Sequence, residues 1–285
     1  MKVLVLGVTG MLGNAVFRYI SAHPTLEAYG SARSARAVCH NPDEFKGRIT
    51  AGVDVENSDS LIRLIGMVQP AVVINCVGLI KQLDVANDPL AAITINALLP
   101  HKLAHLCKAA GARLIHISTD CVFSGTKGGY LESDPSDAED LYGKSKFLGE
   151  VAYENSITLR TSIIGHELGE GAHALLDWFL SQQGAIHGYS RAIFSGLPTV
   201  ELARIIAEFV IPRPQLSGLY HVAAAPIDKY ALLHQIAAVY GKKIDIQPVT
   251  TPAIDRSLDA TRFNEATGYE APPWPELIER MYKFR

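Results

Sequence analysis

The sequence predicts an α/β protein, a doubly wound parallel sheet with a smaller, partly interleaved C-terminal lobe. Three observations carry this. The first apolar run passes into a helical pattern through three spaced glycines, Gly7, Gly10 and Gly13. Short apolar runs then alternate with helical patterns as far as Ile164, the rhythm of consecutive βα units. From Gly165 onward glycines and prolines punctuate shorter segments, so the architecture changes there, although no linker or internal repeat marks a boundary.

Residues 2–6 form the first predicted strand, and Gly7-Val8-Thr9-Gly10-Met11-Leu12-Gly13 leads into a helix over 14–21. Such a turn lets the backbone approach a pyrophosphate, and the helix N-terminus offers unpaired N–H groups and the positive end of a dipole. The GxxGxxG spacing differs from GxGxxG, so its meaning rests on following a first strand. Gly7, Thr9, Gly10, Met11, Leu12 and Gly13 are the candidate dinucleotide contacts. A second strand over 26–31 ends in Ser31-Ala32-Arg33-Ser34-Ala35-Arg36. An acidic residue there would hold ribose hydroxyls. Arginine suits a 2′-phosphate instead, so Arg33 points to NADP, with NAD the alternative.

A third strand over 50–54 ends in Asp54-Val55, an amphipathic helix covers 58–67, and a buried strand over 71–75 ends in Cys76-Val77-Gly78. Ligands of open α/β sheets lie at strand carboxyl ends. Asp54 and Val55 could therefore meet an adenine, while Cys76, Val77 and Gly78 let a cofactor lie against backbone. The helix over 89–110 places polar Asn96 in an apolar pattern, a further cofactor candidate. It also holds His101 and His105 at a spacing zinc ligands can use, but no third ligand is evident and no metal site is expected. After a strand over 113–117, Ser118-Thr119-Asp120-Cys121-Val122-Phe123-Ser124-Gly125 reads as a polar loop whose hydroxyls can donate to a substrate carbonyl.

The helix over 141–153 opens on Tyr142-Gly143-Lys144-Ser145-Lys146. Positions i and i+4 share a helix face, so a phenol and an ammonium can address one ligand. Lowering a tyrosine from ~10 to near neutrality requires roughly 4 kcal/mol, which a desolvated lysine beside a cationic cofactor can supply. A strand over 157–164 follows. Helices are then predicted over 172–182, 200–210 and 229–240, strands over 219–222 and 244–248, and a terminal helix over 276–282.

Composition narrows the function classes. With 285 residues, 48% hydrophobic and 19% charged, the chain can build one large core or two domains. A net charge of −3 without a basic run points away from nucleic acid and anionic membranes. Apolar runs such as 71–80 are interrupted and too short to span a bilayer. No signal peptide is evident, so a cytoplasmic protein is expected. Cys39, Cys76, Cys107 and Cys121 are irregularly spaced, as reduced thiols are.

Together, Gly7/Gly10/Gly13, Ser118-Thr119-Asp120 and Tyr142 with Lys146 resemble an extended short-chain dehydrogenase/reductase. More narrowly, Ser118 to Gly125, Leu159-Arg160-Thr161-Ser162, Leu197-Pro198-Thr199 and Leu258-Asp259-Ala260-Thr261 are similar to the dTDP-4-dehydrorhamnose reductase family, through nearly the whole chain. The resemblance implies a Rossmann domain over 1–164 that binds NADPH. It also implies a mainly substrate-binding lobe over 165–285, with some segments returning to the core. Tyr142 would be the general acid, Lys146 would hold the nicotinamide ribose and depress the tyrosine pKa, and Thr119 would bind the 4-keto oxygen, with Ser118 and Asp120 beside it. The implied reaction is reduction of the 4-keto group of a nucleotide-activated deoxysugar for polysaccharide synthesis, with Arg191 and Arg256 as candidates for the diphosphate and a homodimer as a possible assembly.

The rhamnose reductases usually carry Tyr at the position of Cys121 and Trp at that of Ile163, which leaves the sugar open. Dehydratases carry Glu after the Thr-Asp pair, so Cys121 argues against dehydration. In GDP-fucose synthase a Cys and a His in places comparable to Cys121 and His173 act as acid and base, giving a bifunctional epimerase-reductase as the alternative. A third reading, of another class, is a non-catalytic subunit like the regulatory subunit of methionine adenosyltransferase.

Overall fold

The computed structural model describes residues 1–35, 43–80, 87–168 and 174–285. The first half of the sheet comes from β1 (Lys2–Leu6), α1 (Met11–Ser21), β2 (Glu27–Ala32) and β3 (Ile49–Ala51). The second half comes from α2 (Ser58–Val68), β4 (Val72–Asn75), α3 (Pro89–Ala109), β5 (Arg113–Thr119), α4 (Leu141–Leu148) and β6 (Ser156–Thr161). The strands hydrogen-bond in the order β3-β2-β1-β4-β5-β6, every pair parallel. The order reverses between β1 and β4, where sheets of this kind leave a crevice at their carboxyl edge.

Alternation along the strands feeds two apolar layers. Val3, Val5 and Ile74 face a core that includes Val16 and Phe17 of α1, whereas Leu4, Leu6 and Val73 face Leu61 and Leu64 of α2 and Leu103 of α3. Both faces of the sheet are thus covered, as an all-parallel sheet requires. Helix α3 has 21 residues, and a window of mean hydropathy 1.2 makes it long and apolar enough to cross a bilayer. This corrects the expectation that every apolar run is too short. Half of that window is buried inside the protein, where α3 packs against β5 and α4.

The remaining chain comprises β7 (Ile163–Ile164), α5 (Leu175–Ser181), β8 (Ala185–Tyr189), β9 (Ala192–Phe194), β10 (Leu197–Pro198) and α6 (Thr199–Ile205). It continues through β11 (Gly218–His221), β12 (Ile227–Asp228), α7 (Lys229–Tyr240), β13 (Asp245–Val249), β14 (Ile254–Asp255), α8 (Thr261–Thr267) and α9 (Trp274–Lys283). β11 joins the large sheet as its seventh strand, parallel to β6. α6 packs on α1 and α9 on α6, so one apolar core runs from Val3 to Met281. β8 pairs with β13, and β9 lies between β12 and β14.

Several boundaries differ from expectation. β3 stops at Ala51 rather than residue 54. β5 continues through Ser118 and Thr119, which pair with Arg160 and Thr161 of β6; the polar stretch therefore begins as strand, not loop. α4 ends at Leu148, short of residue 153, with Gly149 as its C-cap, and Glu150 just beyond it pairs with buried Arg160. The strand expected over 157–164 breaks at Ser162 into β6 and β7.

Candidate active site

Helix α4 begins under an Asp140 cap, whose side chain accepts a hydrogen bond from Gly143 N at 2.8 Å. A Cβ at Gly143 would stand 2.4 Å from the Cys121 carbonyl oxygen. Only glycine lets the first turn of α4 lie this close to the segment that follows β5. The approach brings the Thr119 hydroxyl near enough to the Tyr142 phenol to act on its protonation. Thr119 Oγ1 also accepts from Cys121 N at 3.1 Å and donates to Asp120 Oδ1 at 3.2 Å. Ser118 does not join this group. As the neighbouring strand residue it points to the opposite face and donates to Glu150 Oε1 at 2.7 Å, which corrects its expected contact with substrate.

One turn along α4, Lys146 is buried and donates to the Ile117 carbonyl at 2.8 Å. Burial lowers its pKa to about 8, with the charges of Glu150 and Cys76 opposing. The ammonium lies beside the end of β4, since a Cβ at Gly78 would be 3.4 Å from Asn96 Oδ1 and 3.8 Å from Lys146 Nζ. Asn96 sits in a wider, π-helical turn of α3 over Ile93–Leu98, a feature frequent at functional sites. Its Oδ1 accepts from Leu79 N at 2.8 Å, and its Nδ2 donates to Leu79 O and to Ser145 Oγ. The amide expected to contact a cofactor is instead spent holding the segment after β4 against α4.

The expected depression of the Tyr142 pKa is not present in the protein alone. Burial raises it, with Cys121 and then the Asp120 and Asp140 carboxylates adding to the rise and Thr119 opposing. The Lys146 ammonium donates to the Ile117 carbonyl. Cys121 is likewise no ready base: burial, then the charge of Asp120, pushes its thiol up to about 12, whereas proton abstraction needs a depressed thiol. His173, its expected partner, lies outside the described residues, as does Arg36.

On the other side of the crevice, Gly7 takes a φ of +82°, and a Cβ at Gly13 would stand 2.1 Å from the Gly7 carbonyl oxygen. Gly10 caps α1 without a side-chain hydrogen bond, so the cap residue leaves the first-turn amides of Met11 and Leu12, next to Thr9, unserved. Val77 and Cys76 pack against this turn: a Cβ at Gly7 would meet Val77 Cγ2 at 3.0 Å. Exposed Arg33 follows β2 directly. Exposed Asp54 follows β3 beside half-buried Val55, and its Oδ1 accepts from Glu56 N at 3.0 Å. These residues line the carboxyl ends of β1 to β4, and their shape and chemistry fit a dinucleotide phosphate on α1.

From the C-terminal part, Arg256 reaches the site and donates from Nε to Phe123 O at 2.7 Å. Its charge and that of Lys229 lower the pKa of Asp120, which burial raises. Lys229 was not anticipated: as the first residue of α7 it reads from sequence as an ordinary solvated helix charge. Exposed Arg191 precedes β9. Among the described residues no group of three or more His, Cys, Asp or Glu side chains is placed to hold a metal ion.

The chain is 27% identical to mouse methionine adenosyltransferase 2 subunit beta over 99% of its own length and 90% of that protein. It is 31% identical to the dTDP-4-dehydrorhamnose reductase of Streptomyces griseus over 52% of this chain and 43% of that one. The fold matches the Bacillus anthracis dTDP-4-dehydrorhamnose reductase solved in complex with NADP, with a TM-score of 0.81 at 20% identity over 99% and 98% of the two chains. Residues 1–284 match the family described as the RmlD substrate binding domain, and the chain belongs to that family.

Proposed function

We propose that the chain is an NADPH-dependent reductase of the 4-keto group of a nucleotide-activated deoxysugar, acting in polysaccharide precursor synthesis. The observation that carries the reading is the pairing of the Thr119 and Tyr142 hydroxyls one helical turn from buried Lys146. The names of the Streptomyces griseus and Bacillus anthracis relatives support the same chemistry.

The Gly7–Gly13 turn and the amides of α1 would hold the pyrophosphate, Arg33 the 2′-phosphate and Lys146 the nicotinamide ribose. NADPH, when bound, supplies the hydride that goes to C4. Thr119 and Tyr142 orient the keto oxygen between their hydroxyls. Because its pKa is raised, Tyr142 is fully protonated at neutral pH and enters the reaction as a proton donor to the developing alkoxide. Lys146, with its pKa lowered to about 8, carries its charge at neutral pH and loses it above, so the alkaline limb of the rate profile should centre near pH 8.

The regulatory-subunit reading draws on the nearly full-length likeness to methionine adenosyltransferase 2 subunit beta. NADPH consumption with a panel of 4-keto sugar nucleotides separates the two. Turnover on at least one of them supports the reductase; tight NADPH binding without turnover on any favours the binding subunit.

A further inference from the structure

Two cations that follow strands of the three-stranded sheet β12-β9-β14 act on Asp120, the neighbour of Thr119. Asp228 and Asp255 both stand level with Ile193 of β9, one on each side of it, and the residues that follow them, Lys229 and Arg256, both act electrostatically on Asp120. Arg256 is fixed through Nε to Phe123 O at 2.7 Å, and its two terminal nitrogens have no hydrogen-bond partner among the described residues. The Lys229 ammonium has none either, although it lies within electrostatic reach of Asp120, Cys121 and Arg256. Two half-buried cations, whose three ammonium and four terminal guanidinium N–H donors are unspent among the described residues, share one carboxylate, Asp120, which itself hydrogen-bonds Thr119.

We propose that Lys229 and Arg256 form a binding position for an anionic group of the substrate, a phosphate or a carboxylate, directly beside the Thr119–Tyr142 hydroxyls. This deepens the reductase reading and rests on it for the identity of the reacting centre. Asp120 is the internal counter-ion that holds the two cations apart from solvent. A planar or tetrahedral anion would take the terminal nitrogens of Arg256 in a fork and the Lys229 ammonium as a point charge. Two groups of a sugar nucleotide have this chemistry: the diphosphate, and a carboxylate on the sugar ring.

Isothermal titration of the full chain with UDP, dTDP, GDP, UDP-glucose and UDP-glucuronate tests the position, in the native protein and in Lys229→Met and Lys229→Arg. The expected result is that Lys229→Met weakens the tightest-binding probe at least tenfold while Lys229→Arg stays within about threefold. An equal loss for every diphosphate identifies the diphosphate as the anion; a loss confined to UDP-glucuronate identifies a ring carboxylate. If Lys229→Met binds all probes within twofold of the native chain, or the native chain binds none, the proposal is overturned. NADPH affinity, measured separately by fluorescence, should be the same in all three proteins. Anion binding that depends on Lys229 in a chain that binds no NADPH would sink the reductase reading and leave the anion position standing.

Discussion

Lys146 shows what the site costs the fold. Its pKa is lowered from 10.5 to about 8 by burial, which corresponds to roughly 3 kcal/mol of destabilisation at neutral pH. A lysine whose folded-state pKa is depressed destabilises the fold below about pH 8, and the penalty fades as pH rises from there towards the unfolded value of 10.5. Lys146→Met should therefore be more stable than the native chain by about 1–3 kcal/mol at pH 7, with less gain at pH 10, while losing activity. Urea unfolding at the two pH values measures this, and a gain no larger at pH 7 than at pH 10 contradicts it. At this scale Thr119, Tyr142 and Lys146 were legible because side-chain types and i, i+4 spacing survive in sequence. The split between Ser118 and Thr119 was not, because it depends on β5 running on to Thr119. Nor was the direction of the Tyr142 shift, which burial and neighbouring carboxylates decide.

Among the elements, α4 depends most directly on a single residue. A methyl group at Gly143 would collide with the Cys121 carbonyl at 2.4 Å and with Ala138 Cβ at 2.5 Å. Gly143→Ala should lift the first turn of α4, lowering kcat by a factor of about 100 or more through misplacement of Tyr142, with a much smaller change in NADPH affinity. Steady-state kinetics beside cofactor titration would show it; unchanged kcat means that the close approach is not needed. The long elements were readable from periodicity, and α7 starts and ends where the pattern predicts. The strands β9, β12 and β14 have two or three residues each, too few to show a period. Yet they position Lys229 and Arg256. The π-helical turn around Asn96 leaves no sequence signature of its own, although the polar residue in an apolar face marked the place.

Across the whole molecule, a buried polar chain ties the site to the rest of the sheet. Arg160 on β6 donates from Nε to Glu150 Oε1 at 2.8 Å, its Nη1 meets His221 Nε2 of β11 at 2.9 Å, and Glu150 holds Ser118 of β5. Arg160 and Glu150 are almost fully enclosed, with side-chain exposures of 2% and 9%. Arg160→Leu leaves the carboxylate unpaired and should destabilise the protein by about 3–5 kcal/mol, a loss that Arg160→Leu with Glu150→Leu partly restores. Thermal unfolding of the single and double variants decides it, and a double variant less stable than the single contradicts the pairing. The parallel, doubly wound arrangement of the first six strands was legible, because repeated βα units with right-handed crossovers leave few arrangements. The seventh, β11, was not, since its four residues follow a segment rich in proline and glycine and pair with a strand some sixty positions earlier.

In the proposed reaction Tyr142 protonates a sugar oxygen while NADPH delivers hydride to the carbon that bears it. Transfer of deuterium from 4-deuterated NADPH to a 4-keto sugar nucleotide, followed by mass spectrometry in the native chain and in Tyr142→Phe, measures that event. The predicted result is deuterium at C4 of the product with the native chain, and a rate about 100-fold or more lower with Tyr142→Phe at unchanged NADPH affinity. Label absent from C4, or transfer at the native rate in Tyr142→Phe, would contradict it.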